Sequence, residues 1–251
     1  RIKSLALTAK DKICFAPEAG CRAEACPFAR GHYDRINEAV SRAFETDAFT
    51  RPAVEAVAQA HRVCPFELSL ELSLWADLIV CDYNYAFDPR VYLRRFFAEE
   101  NGHYAFLIDE AHNLVDRSRD MFSAEISKQP FLEVRRKLKA ELPKLHASMG
   151  KINAWMLRAK KSGPETMAGG GEPAWVQPEP PESLLPLLRK FVVGAERWLA
   201  LNLQTDFREP LQDLYFTAGA FLRVAEQYDR RYTTIYRIEA KNLSVKLFCM
   251  D

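Results

Sequence analysis

Phe106-Leu107-Ile108-Asp109-Glu110-Ala111-His112-Asn113-Leu114 is the stretch on which the reading of this chain turns. The apolar run from Tyr104 to Ile108 predicts a buried strand, and two adjacent carboxylates follow it directly. In a nucleotide-hydrolysing core such a strand delivers Asp and Glu to the phosphate end of a sheet. One carboxylate there reaches a magnesium ion and the other polarises the attacking water. Neighbouring carboxylates suit both tasks because they diverge from one strand tip. Four letters alone also fit an acidic turn without chemistry; the apolar strand before them and Asn113-Leu114 after them favour the functional reading.

Upstream, Ala76-Asp77-Leu78-Ile79-Val80-Cys81 is a short apolar run that predicts another buried strand. Asp88-Pro89 should cap a helix bearing Val91, Tyr92, Phe96 and Phe97. Strand, helix and strand make one βαβ unit, the building block of a parallel sheet. Ile2 to Thr8 alternates loosely and predicts a further strand.

Between these strands lie Cys14, Cys21, Cys26 and Cys64, separated by six, four and thirty-seven residues. Thiolates are soft ligands for zinc or for iron–sulfur clusters. Zinc sites usually recruit cysteines in two close pairs, and only Cys21 and Cys26 approach that form. Free thiols in a small core would account for one or two of the four. Cys81 and Cys249 fall in apolar runs and are set aside as ordinary buried thiols. Around the four cysteines, Pro17, Gly20 and Gly31 break the chain, and two short helices follow. The first carries Tyr33, Ile36, Val40 and Phe44 at helical spacing; the second starts at Thr50, a good N-cap, with Pro52 in its first turn.

The 251 residues are 48% hydrophobic and carry a net charge of +1, enough for more than one core but with no global bias toward nucleic acid. Any basic surface must be local. No apolar run approaches a membrane span, and Arg1-Ile2-Lys3-Ser4-Leu5 has no signal-peptide character, which predicts a soluble intracellular protein. The missing initial methionine and the strand-like end at Met250-Asp251 suggest an excised piece.

Beyond about residue 123 the periodicity is helical. Phe131, Val134, Leu138, Leu142 and Leu145 share a face that Pro143 should end or kink. Ser162 to Pro181, with Gly169-Gly170-Gly171, reads as a mobile loop. Leu184, Leu188, Phe191, Ala195 and Trp198 form the next stripe. Asp206 and Glu209 resemble a capping box before a third, running from Leu211 to Ala225. Thr233–Ile238 and Leu243–Phe248 predict two paired strands. Arg135-Arg136-Lys137 and Arg230-Arg231 read as ordinary surface charge.

Together, Lys12-Ile13-Cys14, Cys21 and Cys26 with Pro27-Phe28, Cys64-Pro65-Phe66-Glu67, the segment Ala76 to Tyr85 with Phe87-Asp88-Pro89, and Asp109-Glu110-Ala111-His112 resemble the XPD/DinG family of iron–sulfur superfamily 2 DNA helicases. The resemblance rests on motifs over residues 1 to about 120 and on position from 123 to about 240; Leu247 to Asp251 resembles a return to the first motor domain. It implies an α/β plus mostly α fold: a partial RecA-like parallel-sheet motor domain, a small helical [4Fe–4S] cluster domain and a helical Arch insertion. The implied boundaries are 1–10 motor, 11–66 cluster domain, 67–122 motor with the DEAH motif, 123–240 Arch and 241–251 motor again. By the same resemblance Cys14, Cys21, Cys26 and Cys64 ligate the cluster, Asp109 reaches magnesium, Glu110 activates water and His112 couples the nucleotide to the motor. It further implies 5′-to-3′ unwinding with ATP and Mg2+, single-stranded and forked DNA as partners, a monomer, and a cytoplasmic, nucleoid-associated bacterial location.

Lys10 and Lys12 flank the first cysteine, where the family places basic residues on the DNA path. Arg22, Arg30, His32, Tyr33 and Arg35 mix cations with an aromatic, as single-strand binding favours; a solvated charged face is the alternative for each. A Gly-rich loop ending in Gly-Lys-Ser/Thr is absent from these 251 residues, as is a second motor domain. The rival readings are a non-enzymatic zinc-binding or partner-docking module and a nuclease relative, for which no multi-carboxylate metal site is apparent.

Overall fold

Leu5, fully buried between Ser4 and Ala6, marks the strand expected near the start, β1 (Ser4–Ala6). The computed structural model describes residues 1–19, 21, 23–88, 93, 97, 103–163, 173–201, 203, 205–240 and 242–251. The chain divides into two compact units, 1–109 and 110–251.

In the first unit β1 is followed by α1 (Lys10–Ile13), α2 (His32–Ala43), β2 (Ala48–Phe49), α3 (Arg51–His61), α4 (Pro65–Ser73), β3 (Leu78–Val80) and α5 (Asn84–Phe87). The strands form a small parallel sheet in the order β2-β1-β3, with Leu5 opposite Phe49 and Ile79. Lys3 fastens its start: the backbone N–H donates to Asp77 Oδ2 at 2.7 Å, and Nζ donates to the Phe44 and Thr46 carbonyls at 3.2 and 2.9 Å. Ile36, Ala39, Val54, Ala58, Leu68 and Leu72 bring one face each of α2, α3 and α4 into a core with Leu5 and Phe49.

Helix α3 begins where Thr50 and Pro52 place it, although the Thr50 hydroxyl makes no capping bond. It ends at Arg62, which takes the left-handed conformation with φ 52° and donates its N–H to the Ala58 and Gln59 carbonyls. Tyr33 points away from the core and is 78% exposed, so the apolar face of α2 is carried by Ile36, Ala39 and Ala43 instead.

The largest departure is at 103–108, where no strand forms and Phe106 and Leu107 are 51% and 96% exposed. A strand needs a neighbour for its N–H and C=O groups, and none pairs with this segment among the described residues. The β3 edge of the sheet is also apolar toward solvent: Leu78 and Val80 are exposed. The helix expected to carry Val91, Tyr92 and Phe96, together with Pro89, Gly20 and Arg22, lies outside the described residues. Asp88 is the C-terminal cap of α5 and is buried.

The second unit is less purely helical than its periodicity predicts. After α6 (Leu114–Met121), β4 (Ala124–Ser127), α7 (Lys128–Leu138), α8 (Pro143–Ser162), β5 (Ala174–Gln177), α9 (Leu185–Leu199) and α10 (Arg208–Glu226), the hairpin β6 (Tyr232–Glu239) and β7 (Asn242–Cys249) completes an antiparallel sheet, β4-β7-β6-β5. Pro143 separates α7 from α8 as its missing N–H requires, occupying the first turn of the new helix. The paired strands are present over eight residues each, with Leu243, Val245, Leu247 and Cys249 alternating inward.

β5 corrects the loop expected over 162–181, whose Gly169-Gly170-Gly171 centre lies outside the described residues. Trp175 stacks on Tyr236, centroids 4.8 Å apart and planes 2° from parallel, and the Thr233 and Thr234 hydroxyls donate to the carbonyls of Gln177 and Glu179. An aromatic and a β-branched residue between prolines were enough for a strand because a cross-strand ring was waiting. The expected capping box at Asp206 is not made: α10 starts at Arg208, and Asp206 pairs with Lys137 at 3.6 Å. Residues 242–249, within the 241–251 segment that the resemblance assigns to a return to the motor, are hydrogen-bonded to β4 and β6.

Ile126, Phe131, Leu138, Met149, Ile152, Phe191, Phe207 and Phe221 fill the core between these helices and the sheet. Phe191 meets Phe131 edge to face at 5.3 Å, and both are fully buried. Phe191→Ala should therefore lower stability by about 3–5 kcal/mol through lost contact and cavity formation, read as a lower urea midpoint with an unchanged slope. Among the described residues no helix is long and apolar enough to cross a membrane.

Candidate functional site

Cys14 terminates α1 and Cys64 precedes α4, so two helix ends deliver two thiols that lie within electrostatic reach of each other. Desolvation pushes the Cys64 thiol up from its ordinary pKa, while the Glu67 and Phe66 N–H groups at the start of α4 pull the other way. Cys21 is exposed and left-handed, with φ 58°; Cys26 is buried. All six cysteines are free thiols. Cys81 is half-buried just after β3, with its pKa raised by burial, and Cys249 is buried on β7, as an ordinary core thiol would be.

Lys10 does not project freely into solvent. Its ammonium hydrogen-bonds the Cys21 side chain, which raises its pKa, and also feels Cys64. It lies 5.8 Å over the Phe66 ring. The cation is turned onto the thiols because a short helix carries it there, four residues ahead of Cys14. Lys12, Arg30 and Tyr33 are exposed. Arg30 lines an open cavity of about 500 Å³ with Glu24, Cys26, Arg35 and Arg62.

Two residues that the sequence groups with Arg30 and Tyr33 hold backbone in place. His32 is buried, and its Nδ1 accepts the Cys64 N–H at 3.2 Å; burial lowers its pKa, consistent with the neutral ring this bond requires. Arg35 donates Nη2 to the carbonyls of Arg30 and Arg62, each at 2.7 Å, and Nε to that of His61 at 3.0 Å. The pair holds the loop after Cys26 to the turn before Cys64. Only the spacing from Cys64 in space, thirty residues away along the chain, reveals this, so no local signal could have.

Among the described residues no three Cys, His, Asp or Glu side chains are grouped to hold one metal ion. A single zinc requires its thiolates about 2.3 Å from one centre, whereas a four-iron cluster takes one thiolate per iron and tolerates a wider set. The donor chemistry, four free thiols with a cation and helix-end N–H groups beside them, fits such a cluster.

Asp109 closes the first unit and Glu110 opens the second. Glu110 is left-handed, with φ 49°, in a turn ahead of a short 3-10 segment, Ala111–Asn113. A non-glycine residue held there costs roughly 1–3 kcal/mol, and such strain gathers at functional sites. His112 Nδ1 lies 3.3 Å from Glu110 Oε2, and both side chains are exposed. Hard carboxylate oxygens in the open suit magnesium, which is usually held by one or two carboxylates plus substrate phosphates.

Residues 2–131, just over half the chain, match the DEAD_2 family model. The chain is 25% identical over 131 residues to the Fanconi anemia group J protein homolog of Gallus gallus, covering 51% of this chain and 10% of that protein. It is 28% identical over 143 residues to the regulator of telomere elongation helicase 1 homolog of Anopheles gambiae, covering 49% and 14%. It thus spans about a tenth to a seventh of the length of these relatives. A solved XPD helicase aligns with 98% of this chain and 41% of its own, at 15% identity and a TM-score of 0.49. The match takes in the four cysteines and Asp109 to His112 in one order, and the chain belongs to the DEAD_2 family, among the XPD/DinG-like superfamily 2 helicases.

Proposed function

We propose that this chain is part of an ATP-dependent DNA helicase with 5′-to-3′ polarity, acting on single-stranded and forked DNA as a monomer. The observation that carries the reading is the ordered set of four free cysteines and Asp109-Glu110-Ala111-His112 inside the family match. Cys14, Cys21, Cys26 and Cys64 would hold a [4Fe–4S] cluster, which supplies a rigid covalent centre for the loop. Lys10 would lie against that centre, and His32 and Arg35 would fix the chain around it. Asp109 would bind the magnesium of MgATP, Glu110 would orient water, and the Glu110–His112 pair would pass the nucleotide state onward. The carboxylates of Glu24 and Asp34 lie in the same chain region as Arg30, so single-strand binding by this loop depends on local placement and not on total charge.

Iron and acid-labile sulfide analysis of protein purified without air tests the assignment: near four of each per chain is expected, and stoichiometric zinc with no iron would overturn it. DNA contact is tested separately by anisotropy with a labelled single strand. Tyr33→Ala should weaken binding by roughly 1–3 kcal/mol if the ring stacks on a base. Lys12→Gln and Arg30→Gln should each lower the salt dependence by about one phosphate contact. Wild-type affinity and salt slope in all three would remove these residues from the DNA path.

A further inference from the structure

The charge of this chain is concentrated in one place. Residues 128–161 hold ten Lys and Arg against two Glu, in a protein whose whole balance is +1. Helix α8 contains no Asp or Glu over its twenty residues. Its buried face is Leu145, Met149, Ile152 and Met156, packed in the core. On the exposed side Lys144, Lys151 and Arg158 recur every seventh residue, forming one stripe with about 10.5 Å between successive positions at 1.5 Å rise per residue. Exposed Ala147 and Ala154 lie beside the stripe and leave its approach open.

Glu179 and Glu182 line an open cavity with Arg158, but no ion pair forms there among the described residues. None of Lys144, Lys151 and Arg158 is ion-paired among the described residues, whereas Lys137 on α7 has Asp206. At the α7–α8 junction Arg135 donates Nε to the His146 carbonyl at 3.3 Å. Arg135 and Lys139 add to desolvation in lowering the His146 pKa, as a local positive potential would. Like charges held together without counter-ions set up a field that a polyanion satisfies.

We propose that the solvent face of the α7–α8 hairpin binds the phosphate backbone of duplex DNA, which deepens the helicase reading and rests on it. The long stripe suits a stiff, regularly charged ligand. It has no exposed aromatic ring on which an unpaired base could stack: Trp155 is buried, and its Nε1 donates to Ser183 Oγ at 2.8 Å. Contact therefore goes to phosphates, which position without reading sequence. A lipid surface is disfavoured because the apolar face that would enter it is already used in the core.

The test compares the whole chain with the triple variant Lys144→Gln, Lys151→Gln, Arg158→Gln, using a labelled blunt duplex, the single strand alone and phosphatidylserine vesicles. All three side chains are exposed, so an unchanged circular-dichroism spectrum should accompany the variant, and the variant Lys144→Arg, Lys151→Arg should bind as wild type. Duplex affinity should fall at least about tenfold, and the slope of log K against log salt should flatten by about 2.7, at 0.9 per lost phosphate contact. Unchanged duplex affinity and slope would overturn the proposal, as would binding confined to vesicles. Failure here leaves the iron analysis and the Tyr33 and Arg30 results standing; failure of the iron analysis removes the cluster assignment without touching the salt slope.

Discussion

Replacing Cys14, Cys21, Cys26 or Cys64 by Ser is expected to bleach the protein. Anaerobically purified wild type should be brown, with broad absorption near the visible range and its iron retained through gel filtration. Serine keeps the volume but loses the soft thiolate, so one iron is left without its protein ligand and the cluster is opened to solvent and oxidation. Cys81→Ser and Cys249→Ser should keep both colour and iron, since those thiols serve the cores of their units. Buried Cys26 and half-buried Cys64 should also lose stability when the cluster goes, because metal affinity is folding free energy in a small loop-rich region. Full colour in any of the four ligand variants would strike that cysteine from the set.

The second large effect is on turnover. This 251-residue chain should not hydrolyse ATP alone, although it carries Asp109 and Glu110. Phosphoryl transfer relies almost wholly on positioning and electrostatics. The Gly-rich cradle with its Lys does not occur among these residues, and the family resemblance places the arginine finger that would complete the charge stabilisation in a second motor domain. In a longer protein that holds them, Glu110→Gln should leave nucleotide binding intact and lower the rate sharply, by a hundredfold or more on the order of general-base losses, about 10²–10⁴-fold. A phosphate-release assay on both proteins, with and without single-stranded DNA, decides it. DNA-stimulated turnover by the 251-residue chain, lost in Glu110→Gln, would show that its ATP site lies elsewhere.

The parts of this fold that local chemistry dictates were legible in the sequence. Pro143 had to end one helix and start the next; Thr50 and Pro52 marked the start of α3; the alternation of β6 and β7 announced a hairpin. What escaped depended on partners distant along the chain. β5 needed Tyr236 beneath Trp175, about sixty residues later, and the segment before Asp109 stayed open because no strand pairs with it among the described residues. The site divides the same way. The cysteines and carboxylates could be named from type and spacing, but the turn of Lys10 onto Cys21 and the backbone bonds of His32 and Arg35 depend on partners that no local pattern announces.

Arg35 has a dynamic consequence. One guanidinium, planar and unable to rotate its donors apart, accepts responsibility for carbonyls at Arg30, His61 and Arg62. The loop at Arg30 and the end of α3 stay joined through this one side chain, and they part only when it gives up the Arg30 bond or both the His61 and Arg62 bonds. Lysine can serve more than one carbonyl, as Lys3 does for Phe44 and Thr46, but it has no planar fork to hold three of them in fixed directions. The twenty-eight residues of chain between Arg35 and Cys64 are bridged by this one side chain, so solvent exchange at the loop and at the end of α3 should rise together when it is removed.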